Sequence, residues 1–189
     1  MNSPREKWNR IYSGDLEPGS TAAVLAQNAD LLPTKGRALD IACGTGANAL
    51  FLAERGMDVD AWDISDVVID SLATLHPRIH PRALEITPES LSGKQFDLIL
   101  TCHYLDPALA PAILEATSPG GLIIYQTFTS TKKADIGPSN PDFLLKPGDL
   151  ERFVAGCDIL SAQDGSDIVD KENPMAGRAW IIARRHSDQ

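Results

Sequence analysis

The sequence predicts an α/β fold, a three-layer sandwich on a mostly parallel seven-stranded sheet with an antiparallel C-terminal hairpin. Three observations predict it. Short apolar runs at 37–42, 96–101 and 122–128 suit strands covered on both faces. Helical segments alternate with them, which implies right-handed crossovers between parallel strands. Two late strand-like segments, 157–163 and 178–185, are separated only by a polar loop, as in a hairpin closing a sheet edge.

Residues 4–12 and 20–31 read as helices, with Ser3 and Ser20 as caps and Ala22, Ala23, Leu25 and Ala26 as good formers. The first strand, 37–42, is apolar except for Asp40. Ala47 to Arg55 reads as a helix stopped by Gly56. The second strand covers 58–62. Ser65 then caps a helix to Leu75, stopped before Pro77. A short third strand falls at 82–86 and the fourth at 96–101. A helix covers 106–117, and Pro119-Gly120-Gly121 signals a turn before the fifth strand, 122–128. Residues 129–147 hold Gly137, Pro138, Asn140, Pro141 and Pro147 without a clear period, so they read as a substrate lid loop. A short helix runs from Pro147 to Ala155. The whole reads as one domain, 1–189, with residues 1–31 as an N-terminal helical cap.

The chain has 189 residues, 43% of them hydrophobic, enough for one sizeable core. Its net charge of −9 argues against a phosphate-neutralising surface, so nucleic acid is not an expected partner. The three cysteines, Cys43, Cys102 and Cys157, have no CxxC spacing and read as reduced thiols of a cytoplasmic protein. No apolar leader and no membrane-length apolar run stands in the sequence. His76, His80 and His186 do not make metal-ligand spacing, and no metal site is expected.

Arg37 to Leu50 carries the main functional signal: a buried strand, a tight glycine turn and a helix start. Such a turn brings backbone close to a ligand and aims helix N–H groups at it. Asp63 closes the next strand about 20 residues on, which suits ribose hydroxyls. Together they indicate a bound nucleoside. A nicotinamide fingerprint is incomplete, because Ala49 takes the third glycine position. Asp40-x-Ala42-x-Gly44-x-Gly46 instead resembles motif I of class I S-adenosylmethionine-dependent methyltransferases, with Ala42 replacing the usual first glycine. Trp8-Asn9-Arg10-Ile11-Tyr12 is similar to the opening of that group. Gly56-Met57-Asp58-Val59-Asp60-Ala61-Trp62-Asp63 is similar to a stretch of the tellurite-resistance methyltransferases and their uncharacterised relatives. Phe96-Asp97-Leu98-Ile99-Leu100, Pro119-Gly120-Gly121 and the loop from Gly137 to Leu150 extend the resemblance.

The resemblance implies a Rossmann-like fold and methyl transfer from S-adenosyl-L-methionine, leaving S-adenosyl-L-homocysteine. It implies a cofactor site on Asp40, Ala42, Gly44 and Gly46, with the last three close to the methionine moiety and ribose. Asp63 would accept from the ribose hydroxyls, Ile64 would pack on adenine, Glu85 would take the adenine amino group and Ile86 would offer its amide. Thr101 would lie near the sulfonium, and Arg10 or Tyr12 would reach the methionine carboxylate.

His103, after the fourth strand at the ligand-binding edge, is the candidate general base, with Tyr104 lining the acceptor pocket. Gln126 and Thr127 end the fifth strand toward the same pocket. Lys146 and Arg178 are cations that would draw an anionic acceptor. The expected acceptor is a small molecule, a tellurite- or selenite-type oxyanion or a thiol, and the protein a monomer or homodimer. The alternative is a non-catalytic S-adenosylmethionine-binding regulatory protein.

Overall fold

Strand β1 (Arg37–Ile41) runs in parallel between β2 (Asp58–Asp63) and β4 (Phe96–Cys102). The computed structural model describes residues 3–14 and 16–187. Beyond β2 lies β3 (Ile79–Ala83), and beyond β4 lies β5 (Thr117–Phe128), both parallel. Strands β6 (Cys157–Asp164) and β7 (Arg178–Arg185) complete a seven-stranded sheet of order β3-β2-β1-β4-β5-β7-β6. Strand β7 is antiparallel to both β5 and β6, so the expected C-terminal hairpin is present. The strand order reverses between β1 and β4, and a crevice opens there at the carboxyl ends of the strands.

Alternate side chains along each central strand point to opposite faces. Leu98 and Leu100 of β4 pack on one side with Val24, Leu52, Val68 and Leu72. Those partners come from helices α2 (Ala23–Gln27), α3 (Ala47–Glu54) and α4 (Asp66–Leu72). Ile99 faces the other side with Leu91, Ile113 and Leu150, from α5 (Pro88–Leu91), α6 (Ala110–Ala116) and α7 (Asp149–Phe153). Helix α1 (Pro4–Ile11) has the Ser3–Glu6 capping box but buries no side chain of its own.

Three local expectations are corrected and one unexpected helix appears. Ser20 does not cap α2, whose N-cap is Ala22. The free amides there are satisfied from other elements: Ala22 N donates to Asn48 Oδ1 (2.8 Å) and Val24 N to Gln126 Oε1 (2.8 Å). Strand β3 lies three residues earlier than expected, because Pro81 is tolerated on an edge strand. Helix α5 was not anticipated, although Thr87-Pro88 is a helix-start signal. Pro119-Gly120-Gly121 forms a bulge inside β5: Thr117 pairs with Phe96 but Leu122 with Leu98. A Cβ on Gly121 would meet Ser118 O at 2.8 Å and Asp97 O at 3.0 Å, so only glycine closes this bulge.

Candidate active site

The turn after β1 bends through left-handed backbone at Ala42 (φ 56), Gly44 (φ 51) and Gly46 (φ 81) before α3 begins. An alanine in that region costs roughly 1–2 kcal/mol, so the surrounding structure must enforce it. Asp63 supplies one restraint. Its Oδ2 accepts from Gly44 N (3.1 Å) and its Oδ1 from Ser65 N (2.9 Å). Burial pushes the Asp63 carboxyl up, opposed by the amides of Ser65, Gly44 and Ile64. Gly46 is tied to α4, since a Cβ there would lie 2.6 Å from Leu72 Cδ2.

Asp40 sits beneath this turn, 1% exposed, and its Oδ2 has no hydrogen-bond partner among the described residues. Burial first, then the charge of Asp63, raises its pKa to about 8, while the Ala49 amide acts the other way. A buried carboxyl oxygen without a donor is costly and calls for a specific explanation.

Helix α1 lies across the mouth. Arg5 pairs with Asp66, and Ser65 Oγ donates to Asn9 Oδ1 (2.7 Å). Trp8 stacks on Tyr12 with ring centroids 5.8 Å apart, and the Tyr12 hydroxyl stands over Gly44, 3.0 Å from where a Cβ would be. Burial raises the Tyr12 phenol.

The crevice these elements enclose measures about 690 Å³, within the ordinary range for small-molecule sites. One end carries Ile64, Leu84, Glu85 and Ile86, and the other His103, Tyr104, Phe128 and Phe143. Of the residues expected from sequence, Tyr12, Ala42, Gly44, Asp63, Ile64, Glu85, Ile86, His103 and Tyr104 line it. Asp40 and Gly46 lie behind the lining. Arg10 is exposed on α1 outside the crevice. Thr101 is 2% exposed inside the sheet, and its neighbour Cys102 reaches the crevice instead. Sequence reasoning missed the contributions of Lys7, Trp8 and Phe128. The Trp8–Tyr12 spacing was the available signal for the aromatic pair.

His103 holds a left-handed backbone (φ 55), and its amide donates to Gln126 O (2.9 Å). Arg178 Nε donates to His103 Nε2 (3.1 Å), and the guanidinium carbon lies 4.3 Å from the centroid of the Phe128 ring. His103 is exposed by surface area and lines the crevice, with Arg178 and Phe128 packed against its ring. Burial and then the Arg178 charge lower its pKa to about 4. The Tyr125 hydroxyl donates to Tyr104 O (2.8 Å) and steadies the loop. Burial raises the Tyr104 phenol, helped by Asp106, Glu85 and Asp63.

The sheet order, the glycine turn and the acidic tip of β2 are those of the class I S-adenosylmethionine-dependent methyltransferase fold, which the chain resembles. A family model described as a methyltransferase domain matches residues 38–121. The chain is 28% identical over 148 residues to the YqeM protein of Bacillus subtilis (strain 168), covering 69% of this chain and 58% of that one. It is 31% identical over 148 residues to a ubiquinone biosynthesis O-methyltransferase of Caulobacter sp. (strain K31), covering 64% and 58%. The chain thus spans little more than half the length of these relatives. TehB from Haemophilus influenzae superposes with a TM-score of 0.68 at 19% identity, covering 86% of this chain and 61% of TehB, a likeness of fold. Among the described residues no acidic, histidine and cysteine cluster forms a metal site, and no helix is long and apolar enough to cross a membrane.

Proposed function

We propose that the chain is an S-adenosylmethionine-dependent methyltransferase acting on a small molecule. The observation that carries this reading is the unpartnered Asp40 oxygen beneath a left-handed glycine turn that Asp63 ties to β2. The donor set fits the cofactor. Asp40 Oδ2 is a buried acceptor without a partner among the described residues, beneath the turn that would hold the ammonium of a methionine moiety. Asp63 keeps lone pairs for ribose hydroxyls after bonding two amides. Ile64, Leu84 and Ile86 offer apolar walls for a base, with Glu85 beside them to accept from an amino group.

S-adenosylmethionine supplies a methyl group already activated by its sulfonium. The chain's own work is positioning and exclusion of water. Helix α1 covers the nucleoside end through Trp8 and Tyr12. Residues 129–147 act as the lid at the other end, carrying Pro138 and Phe143 onto the crevice. The aromatic surfaces of Tyr104, Phe128 and Phe143 favour a small organic acceptor. This agrees with relatives named for ubiquinone biosynthesis O-methylation.

Calorimetry with S-adenosylmethionine and S-adenosylhomocysteine tests the site, and a radiolabelled methyl-transfer screen tests the reaction. The screen includes phenols, carboxylates, thiols, tellurite and selenite. Binding with turnover of one class supports the proposal. Absence of binding overturns it, and binding without turnover in any arm favours a regulatory protein.

A further inference from the structure

Arg178 opens β7 and is fixed from three sides. Its Nε donates to His103 Nε2 (3.1 Å), and its Nη1 donates to the carbonyls of Pro174 (3.3 Å) and Ala176 (3.1 Å). Its plane rests against Phe128, which also carries the His103 ring at 5.6 Å between centroids. A guanidinium has donors only and keeps its proton throughout the working pH range. The His103 atom facing it must therefore present a lone pair. A neutral imidazole that accepts at Nε2 carries its proton on Nδ1.

We infer that Arg178 is a positioning residue that locks His103 as the neutral Nδ1–H tautomer, making it a hydrogen-bond donor to the methyl acceptor and not a base at Nε2. The acceptor role rests on the methyltransferase reading, whereas the tautomer does not. The backbone strengthens the lock. His103 holds its left-handed conformation because its amide is bonded to Gln126 O and its ring lies tilted against Phe128. Strain of this kind persists where surrounding contacts over-determine a residue, and it gathers at functional sites.

The groups around the ring support this. From β7 comes the charge of Arg178; β5 brings uncharged Gln126, Thr127 and Phe128; Cys102 and Tyr104 flank His103 in its own segment. The first two influences on its titration, burial and Arg178, both disfavour imidazolium. His103 is therefore held neutral at neutral pH. The methyl acceptor must bring a lone pair to an N–H and does not lose its proton to Nε2.

Long-range imidazole ¹⁵N spectra of the full chain, assigned with His103→Gln and recorded from pH 3.5 to 8, test the lock. In the wild type the expected pattern is Nδ1 protonated, Nε2 unprotonated and no titration above pH 5. In Arg178→Met mixed tautomers are expected, with a titration that rises as the Arg178 charge is lost but stays below the ordinary imidazole range, because burial remains. Arg178→Lys keeps the charge but loses the guanidinium fork. It is expected to keep a depressed titration and lose the single tautomer, which also covers the case of a poorly folded Met variant. A wild-type ring protonated at Nε2 overturns the inference, and so does an unchanged tautomer in both variants. Calorimetry on the same wild-type sample separates the two readings. Failure to bind S-adenosylmethionine removes the acceptor role while leaving the tautomer to stand on its own spectrum.

Discussion

Asp63 Oδ2 accepts the amide hydrogen of Gly44 across 3.1 Å, so the tip of β2 and the turn after β1 move as one body. The carboxylate that would hold the ribose also shapes the loop that would hold the methionine moiety.

Asp63→Ala is therefore expected to weaken S-adenosylmethionine binding by on the order of 1.5–3 kcal/mol, through lost charge-assisted hydrogen bonds. The amides of Gly44 and Ser65 lose their partner in the same variant. Calorimetry measures the affinity. Affinity equal to wild type would contradict the ribose assignment.

Asp40 should couple binding to pH. With its pKa near 8 it is mostly protonated at pH 7. An ammonium beside it favours the carboxylate, so binding expels a proton and tightens as pH rises from 6 to 8. Titration calorimetry in buffers of different ionisation heat counts that proton. Stability moves the other way. The folded state holds the proton more tightly than the unfolded chain, so stability falls as pH rises from about 4 through about 8. Asp40→Asn should flatten that slope in urea unfolding and lose the proton release.

Ser65 has three duties: its amide bonds Asp63, its hydroxyl receives the amide of Val68 (3.4 Å) as the α4 cap, and the same hydroxyl donates to Asn9 (2.7 Å). Ser65→Ala should cost about 0.5–2 kcal/mol of stability from the cap alone. Asn9→Ala spares the cap and releases only α1. In hydrogen exchange, amides of α1 in the Asn9 variant should lose protection while those of α4 keep theirs. Equal protection of α1 in both proteins would show that this latch does not hold it.

Gly46→Ala should destabilise the chain by about 1–3 kcal/mol, because the position is left-handed and the new Cβ meets Leu72. Thermal melting checks this. A Gly44→Ala variant carries the same left-handed cost but meets only the Tyr12 side chain (3.0 Å), so it should lose less stability than Gly46→Ala, yet bind the cofactor poorly because its new methyl enters the crevice.

The part of the crevice built by the β1 turn and Asp63 was legible because its signals are local. Asp40, the glycine turn and Asp63 lie within one strand–helix–strand unit, where spacing in the chain maps onto spacing in the fold. The two central strands and the late hairpin were legible for the same reason, as continuous apolar runs. What could not be read depends on distant partners. Ser20 looks like a cap, but Asn48 and Gln126 take the amides it would have taken. Pro81 argues against a strand until β3 is known to be an edge. Arg178 reads as a lone cation, because His103 lies 75 residues earlier in the chain. Lys146 lines a separate crevice of about 430 Å³ beside β6 and β7, not the one that carries His103.

Phe128 also ties residues 129–147 to the His103–Arg178 pair. Gly137, left-handed at φ 69, packs so closely that a Cβ would come 2.5 Å from Phe128 Cε1. Any side chain at that point pushes on the ring that supports both Arg178 and His103. Engineers wishing to replace residues 129–147 with another protein's segment must therefore carry over a glycine at 137 or rebuild the platform underneath.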